Sequence, residues 1–91
     1  MSERVARHAT VHGRVQGVFY RATVARAART HGVSGWAANR PDGSVEIFLE
    51  GEPEAVAAVM DAVHSGPRGA EVERVDVADA APEGLVGFET R

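Results

Sequence analysis

The segment Gly13-Arg14-Val15-Gln16-Gly17-Val18-Phe19-Tyr20-Arg21 constrains this chain most, because the hydrophobic period changes across it. From Val5 to Val15, Val5, Ala9, Val11 and Val15 take odd positions, while the even ones hold Ala6, His8, Thr10, His12 and Arg14. That period of two is the mark of a half-buried strand. Beyond it, Tyr20, Val24, Ala27, Ala28 and His31 share one face of a helix running from about Arg21, which Gly32 is placed to end. A strand that turns through glycine into a helix N-terminus aims backbone N–H groups at one spot, which suits an anion. Arg21 falls in the first helical turn, where a cation opposes the helix dipole. An oxyanion in the loop would account for it, because the planar guanidinium fork matches a phosphate. The plainer alternative is a solvated arginine after an ordinary Gly-x-x-x-Gly loop.

The remaining pattern sets the fold class. Val33 to Asn39 reads as a second strand, and Pro41-Asp42-Gly43 as a turn. Val45, Ile47 and Leu49 alternate with Glu46, Phe48 and Glu50 in a third strand, paired with the second as a hairpin. Gly51-Glu52-Pro53-Glu54 opens a second helix with Val56, Val59, Met60 and Val63 on its core face, and Ser65-Gly66-Pro67 stops it. Val72, Val75 and Val77 mark a fourth strand whose change of parity implies a bulge. Leu85 to Thr90 can supply a short last strand. This order predicts an α+β, ferredoxin-like split β-α-β sandwich, an antiparallel sheet with two helices on one face, formed by residues 1–91 as a single domain.

Composition narrows the chemistry. The chain has no cysteine, which removes disulfides, thiolate nucleophiles and cysteine-ligated metals, and points to a cytoplasmic setting. All ten basic residues are arginine, so Schiff-base and Walker-type lysine chemistry are excluded. A net charge of −3 argues against a nucleic-acid partner, and no apolar run is long enough for a signal peptide or a membrane span. A small acidic chain without an obvious apolar patch reads as a monomer.

Two stretches, Gly13 to Arg21 and Gly35-Trp36-Ala37-Ala38-Asn39-Arg40-Pro41-Asp42-Gly43-Ser44-Val45, together with the element order, resemble the acylphosphatases. The resemblance implies hydrolysis of a small acyl phosphate to a carboxylate and inorganic phosphate, without metal or cofactor. It implies that Arg21 binds the phosphate and that Asn39 holds the attacking water. It makes Val15, Gln16, Gly17, Val18, Phe19 and Tyr20 the loop whose N–H groups surround the phosphate. Ser44 stands where the family often has threonine and would brace the loop near Gly13. Phe19-Tyr20 and Arg40 depart from the commoner residues at their positions: glycine or cysteine then phenylalanine at the first, and a small or apolar residue at the second. On the residues alone, Asn39 reads first as a turn residue bonding to its own backbone, and Asp42 as the shaper of that turn.

Other readings follow from the same residues. His8 and His12 share a strand face about 13 Å apart, too far for one metal. His31 and His64 stand near helix ends, and all four histidines read as structural or solvated. Trp36 reads as a packing residue. A ferredoxin-like module that binds an anion or nucleic acid without catalysis is the main alternative, since this fold hosts many functions. A fragment of a larger maturation enzyme opening with such a domain is a third.

Overall fold

Two hydrophobic periods in one short chain demand two layers, a sheet with one apolar face and helices to cover it. The computed structural model describes residues 3–91. Along the chain lie β1 (Val5–Arg14), α1 (Tyr20–His31), β2 (Ser34–Asn39), β3 (Val45–Gly51), α2 (Pro53–Ser65), β4 (Glu71–Ala80) and β5 (Phe88–Thr90). The strands form one sheet in the order β4-β1-β3-β2-β5. Ala9, Val11, Ala37, Val45, Ile47 and Leu49 on one sheet face pack against Val24 and Ala28 of α1 and Val56, Val59 and Val63 of α2. Each valine so removed from water contributes roughly 1.5–3 kcal/mol. The buried face of α1 is Tyr20, Val24, Ala25 and Ala28, so Ala25 takes the place expected of His31, which is exposed at the helix end.

Three strand pairings are antiparallel, but β5 runs parallel to β2. The expectation of a wholly antiparallel sheet is corrected here, and the reason is directional. β4 runs opposite to β1, and β1 and β2 share a direction through β3 between them. A chain that turns back after β4 therefore arrives at the far edge running with β2. The bulge lies on β4: His12 pairs with Arg74 but Gly13 pairs with Val72, so Glu73 is the extra residue. Gly13 sits there with φ +131°, and a Cβ would stand 2.0 Å from the Glu71 carbonyl oxygen. Only glycine permits that approach of the two strands.

The face of β3 turned away from the helices is buried as well, which simple alternation does not anticipate. Phe48 stacks on Trp36 with ring centroids 6.3 Å apart. Glu50 is fully buried. Ala80, Ala6, Glu50 and Ser34 lie opposite one another in a row across four strands. The segment after β4 follows this row to the far edge, where Gly35 N–H donates to the Gly87 carbonyl. On the way Glu50 Oε1 accepts N–H bonds from Glu83 and Leu85, and Oε2 accepts from Gly84 and from the Arg4 guanidinium. One carboxylate thus fixes the crossing that delivers β5 to its place beside β2.

Burial by itself would raise the Glu50 carboxyl. The bonds from Leu85, Glu83 and Gly84, with Arg4, outweigh it and hold the group below its ordinary value of 4.5. A depressed carboxylate contributes stability in full above that ordinary value, and the contribution is lost as pH falls through the folded value. Glu50→Gln puts a donor where an acceptor is needed and should cost about 1–3 kcal/mol at pH 7. In urea unfolding followed from pH 7 to pH 3, the gap between wild type and variant should be widest above pH 4.5 and narrow below it. A gap independent of pH would show that Glu50 is not ionised in the fold.

Candidate active site

Five residues, 15–19, carry the chain from β1 into α1. Gly17 has φ +76°, and Phe19, the residue before the helix, has φ 62° and ψ 25°, also left-handed. No side chain caps the helix, and no acidic residue stands in its first turn. The first turn therefore keeps its positive end uncompensated, with Arg21 added to it. Among the described residues, no internal backbone acceptor takes the N–H groups of Gln16, Gly17, Val18 or Phe19. Such a turn presents a concave set of donors to whatever lies in front of it.

An open cleft of about 310 Å³ lies there. Its walls come from Val15, Gly17 and Phe19 of the turn, Tyr20, Arg21 and Ala22 of α1, Asn39 at the end of β2, and Thr90 of β5. Arg21 and Asn39, 18 positions apart in sequence, thus open into one space because β1 and β2, either side of β3, run the same way and finish at the same end of the sheet. The Arg21 guanidinium is oriented by the Arg91 main-chain oxygen, which accepts a bond from Nη1 at 2.5 Å. Arg91 N–H in turn donates to the Ala37 carbonyl, and the Arg91 guanidinium lies over the Trp36 ring, 4.7 Å from its centroid.

The remaining residues named from the sequence are placed differently. Val15 is buried in the core and Val18 packs against it. The Tyr20 ring points away from the cleft into the helix layer, where its hydroxyl donates to the Val63 carbonyl and burial pushes its phenol well above the ordinary value. Gln16 does not wall the cleft. Its amide donates to the carbonyls of Arg40 at 2.8 Å and Ser44 at 2.9 Å, tying the turn to the β2–β3 hairpin that bears Asn39. The Ser44 hydroxyl donates to Asp42 Oδ1, as does the Ser44 N–H, so the side chain braces the hairpin and its carbonyl braces the turn. These bonds hold the Asp42 carboxyl below its usual value. Asp42, and not Asn39, is the residue of that hairpin whose side chain bonds to the backbone of the loop. Gly13 stands outside the cleft, at the bulge.

The Arg40 guanidinium faces Glu46 Oε1 and not the cleft. His8 bonds to Glu46 and His12 pairs with Asp76. Among the described residues, no three His, Cys, Asp or Glu are grouped to hold a metal ion. Ala22, Thr90 and Arg91 are the residues of this region that the sequence did not single out. The only signal for the last two was the short apolar pattern that ends at Thr90.

The acylphosphatase family profile matches residues 7–90 of this chain. An acylphosphatase of Acidovorax sp. (strain JS42) is 49% identical over 87 residues, covering 96% of this chain and 90% of that protein. An acylphosphatase of Thermococcus kodakarensis is 50% identical over 86 residues, covering 94% of each. The crystal structure of acylphosphatase from Bacillus subtilis superposes with a TM-score of 0.92 at 34% identity, covering 96% of this chain and 98% of that one.

Gln16 links the turn to the hairpin, so its loss should be felt on both sides. Gln16→Ala is expected to lower stability by about 1–2 kcal/mol, two neutral hydrogen bonds' worth, and to weaken binding of inorganic phosphate. Urea unfolding and phosphate titration of the same sample check this. Wild-type affinity in a destabilised variant would show that the clamp stabilises the fold without shaping the cleft.

Proposed function

The chain belongs to the acylphosphatase family and hydrolyses acyl phosphates to a carboxylate and inorganic phosphate, and we propose that Arg21, Asn39 and the 15–20 turn carry out the reaction. The supporting observation is that Arg21 and Asn39 wall the same cleft as a turn whose N–H groups have no internal backbone acceptor. The leaving group is a carboxylate, a weak base of pKa about 4, and needs little help from a general acid. The obstacle is the charge of the phosphoryl group, which repels an incoming water. In this reading the turn's N–H groups and the Arg21 fork hold the phosphoryl oxygens and stabilise the charge spread over them in the transition state.

The nucleophile is water. The Asn39 side-chain amide offers one acceptor and two donors, so it can align that water without removing its proton. Asn39 lies exposed at the end of β2, and the hairpin next to it is already held by Asp42, which leaves the amide available. An amide is a poor base, so the proton passes to a phosphoryl oxygen of the substrate. The new O–P bond forms as the P–O bond to the acyl group breaks, and phosphate and carboxylate leave. The charge is met by Arg21 and backbone donors, so the scheme requires no metal or cofactor. We also propose that the protein is a monomer in the cytoplasm that takes no nucleic acid. In support, the exposed large apolar residues among those described are Phe19 in the turn, Val77 on β4 and Val86 in the segment before β5, and the net charge is −3.

The roles separate experimentally. With acetyl phosphate as substrate, Arg21→Lys keeps the charge but loses the fork, and should lose both turnover and phosphate inhibition while the melting temperature holds. Asn39→Ala should lower turnover on the order of 10²-fold and leave phosphate inhibition nearly intact. An Asn39→Ala protein that is less stable but turns over at the wild-type rate would make Asn39 a turn residue only.

A further inference from the structure

We propose that the Phe19 ring is the seat of the substrate's acyl group, so that the enzyme favours acyl phosphates whose acyl part is aromatic or bulky and apolar. The inference rests on the acyl-phosphate reading of the cleft and names the part of the substrate that the turn and Arg21 leave unspecified. Among the described residues, Phe19 is the one non-glycine with positive φ. The left-handed conformation crowds an L side chain against its own carbonyl and costs roughly 1–2 kcal/mol. What the backbone needs at this position is satisfied without a ring. The Phe19 carbonyl accepts the N–H and the hydroxyl of Thr23, both at 3.0 Å, and any residue can supply that carbonyl. Glycine would supply it with no strain.

The ring gains no internal packing in return, since Phe19 is 83% exposed. Nor does it cap the helix, having no polar atom for the purpose. A large apolar side chain held in a strained conformation, in water, at the mouth of a cleft is explained by what enters the cleft. The cleft has room for more than phosphate: 310 Å³ is about ten times one water's share of liquid volume. With the phosphoryl group against the turn and Arg21, the acyl group must project toward the rim. The lining includes Phe19 and Ala22, both exposed, and among the described residues Arg21 is the one charged residue lining the cleft. An anionic acyl chain would find no cation beyond the arginine already engaged. A flat apolar one can stack on the ring.

The test compares kcat/KM for benzoyl phosphate with that for acetyl phosphate in wild type, Phe19→Gly, Phe19→Ala and Phe19→Trp. Taking the ratio of the two substrates cancels any loss that the turn's backbone suffers in a variant. Because the ring is exposed, none of these changes opens the core. Stacking of aromatic groups is worth about 0.5–1.5 kcal/mol, so the benzoyl-to-acetyl ratio should fall about fivefold in Phe19→Gly and Phe19→Ala. It should be retained in Phe19→Trp, which restores an aromatic face. An unchanged ratio in the glycine and alanine variants, or a tryptophan variant as poor as alanine, would overturn the proposal. A wild-type protein inactive on both substrates would instead overturn the acyl-phosphate reading beneath it.

Discussion

The turn at residues 15–19 keeps its backbone N–H groups outside every strand ladder and helix, and the surrounding structure holds it in that state. An N–H group left unpaired away from water costs about 1–3 kcal/mol, so a row of them persists only where solvent or an anion can reach it. Gly17 and Phe19, either side of Val18, are left-handed, a conformation that lets neighbouring N–H groups face one side. The helix behind them adds its positive end, and Arg21 adds a full charge. Three local rules are broken within a few residues: a phenylalanine with positive φ, an uncapped helix start and a cation at the wrong end of a dipole. Each is unfavourable for a chain that only needs to fold, and all three favour an anion in the same place.

Such a turn needs a frame. On the helix side Tyr20 anchors α1 to the end of α2 through the Val63 carbonyl. On the hairpin side Gln16 reaches the carbonyls of Arg40 and Ser44, and Asp42 stiffens the loop between β2 and β3. The third support comes from furthest away in sequence. Glu50 fixes the 83–85 crossing, the crossing delivers β5, and the residue after β5 offers a main-chain oxygen to Arg21. A buried carboxylate on the far side of the sheet thus bears on the orientation of the guanidinium.

How much of this is legible in the sequence depends on the range of the interaction. The periods of β1, α1, β3 and α2 are local and sit where the apolar residues indicate. The β4 bulge shows as the parity change between Val72 and Val75, and Glu73 is its extra residue. The two motifs name Arg21 and Asn39, and the fold brings both to one cleft. The direction of β5 is not local, because it depends on how the strands before it alternate. The burial of Glu50 depends on a segment more than thirty residues later that crosses this sheet face, and Phe48 is stacked on Trp36 of the neighbouring strand. Arg91 reaches Arg21 through a main-chain oxygen, which carries no residue-type signal. The strain at Phe19 is invisible in the sequence, because it belongs to the path of the turn and not to the residue.

The central claim is that the 15–20 turn and Arg21 hold the phosphoryl group. Titration of the ¹⁵N-labelled protein with inorganic phosphate, followed by amide and arginine side-chain resonances, tests it most directly. The largest changes should fall on the backbone amides of Gln16 to Arg21 and on the Arg21 side chain, saturating together with one affinity. Saturating changes centred elsewhere, such as at Arg26 and Arg29 on the outer face of α1, with the turn amides unmoved, would contradict the account.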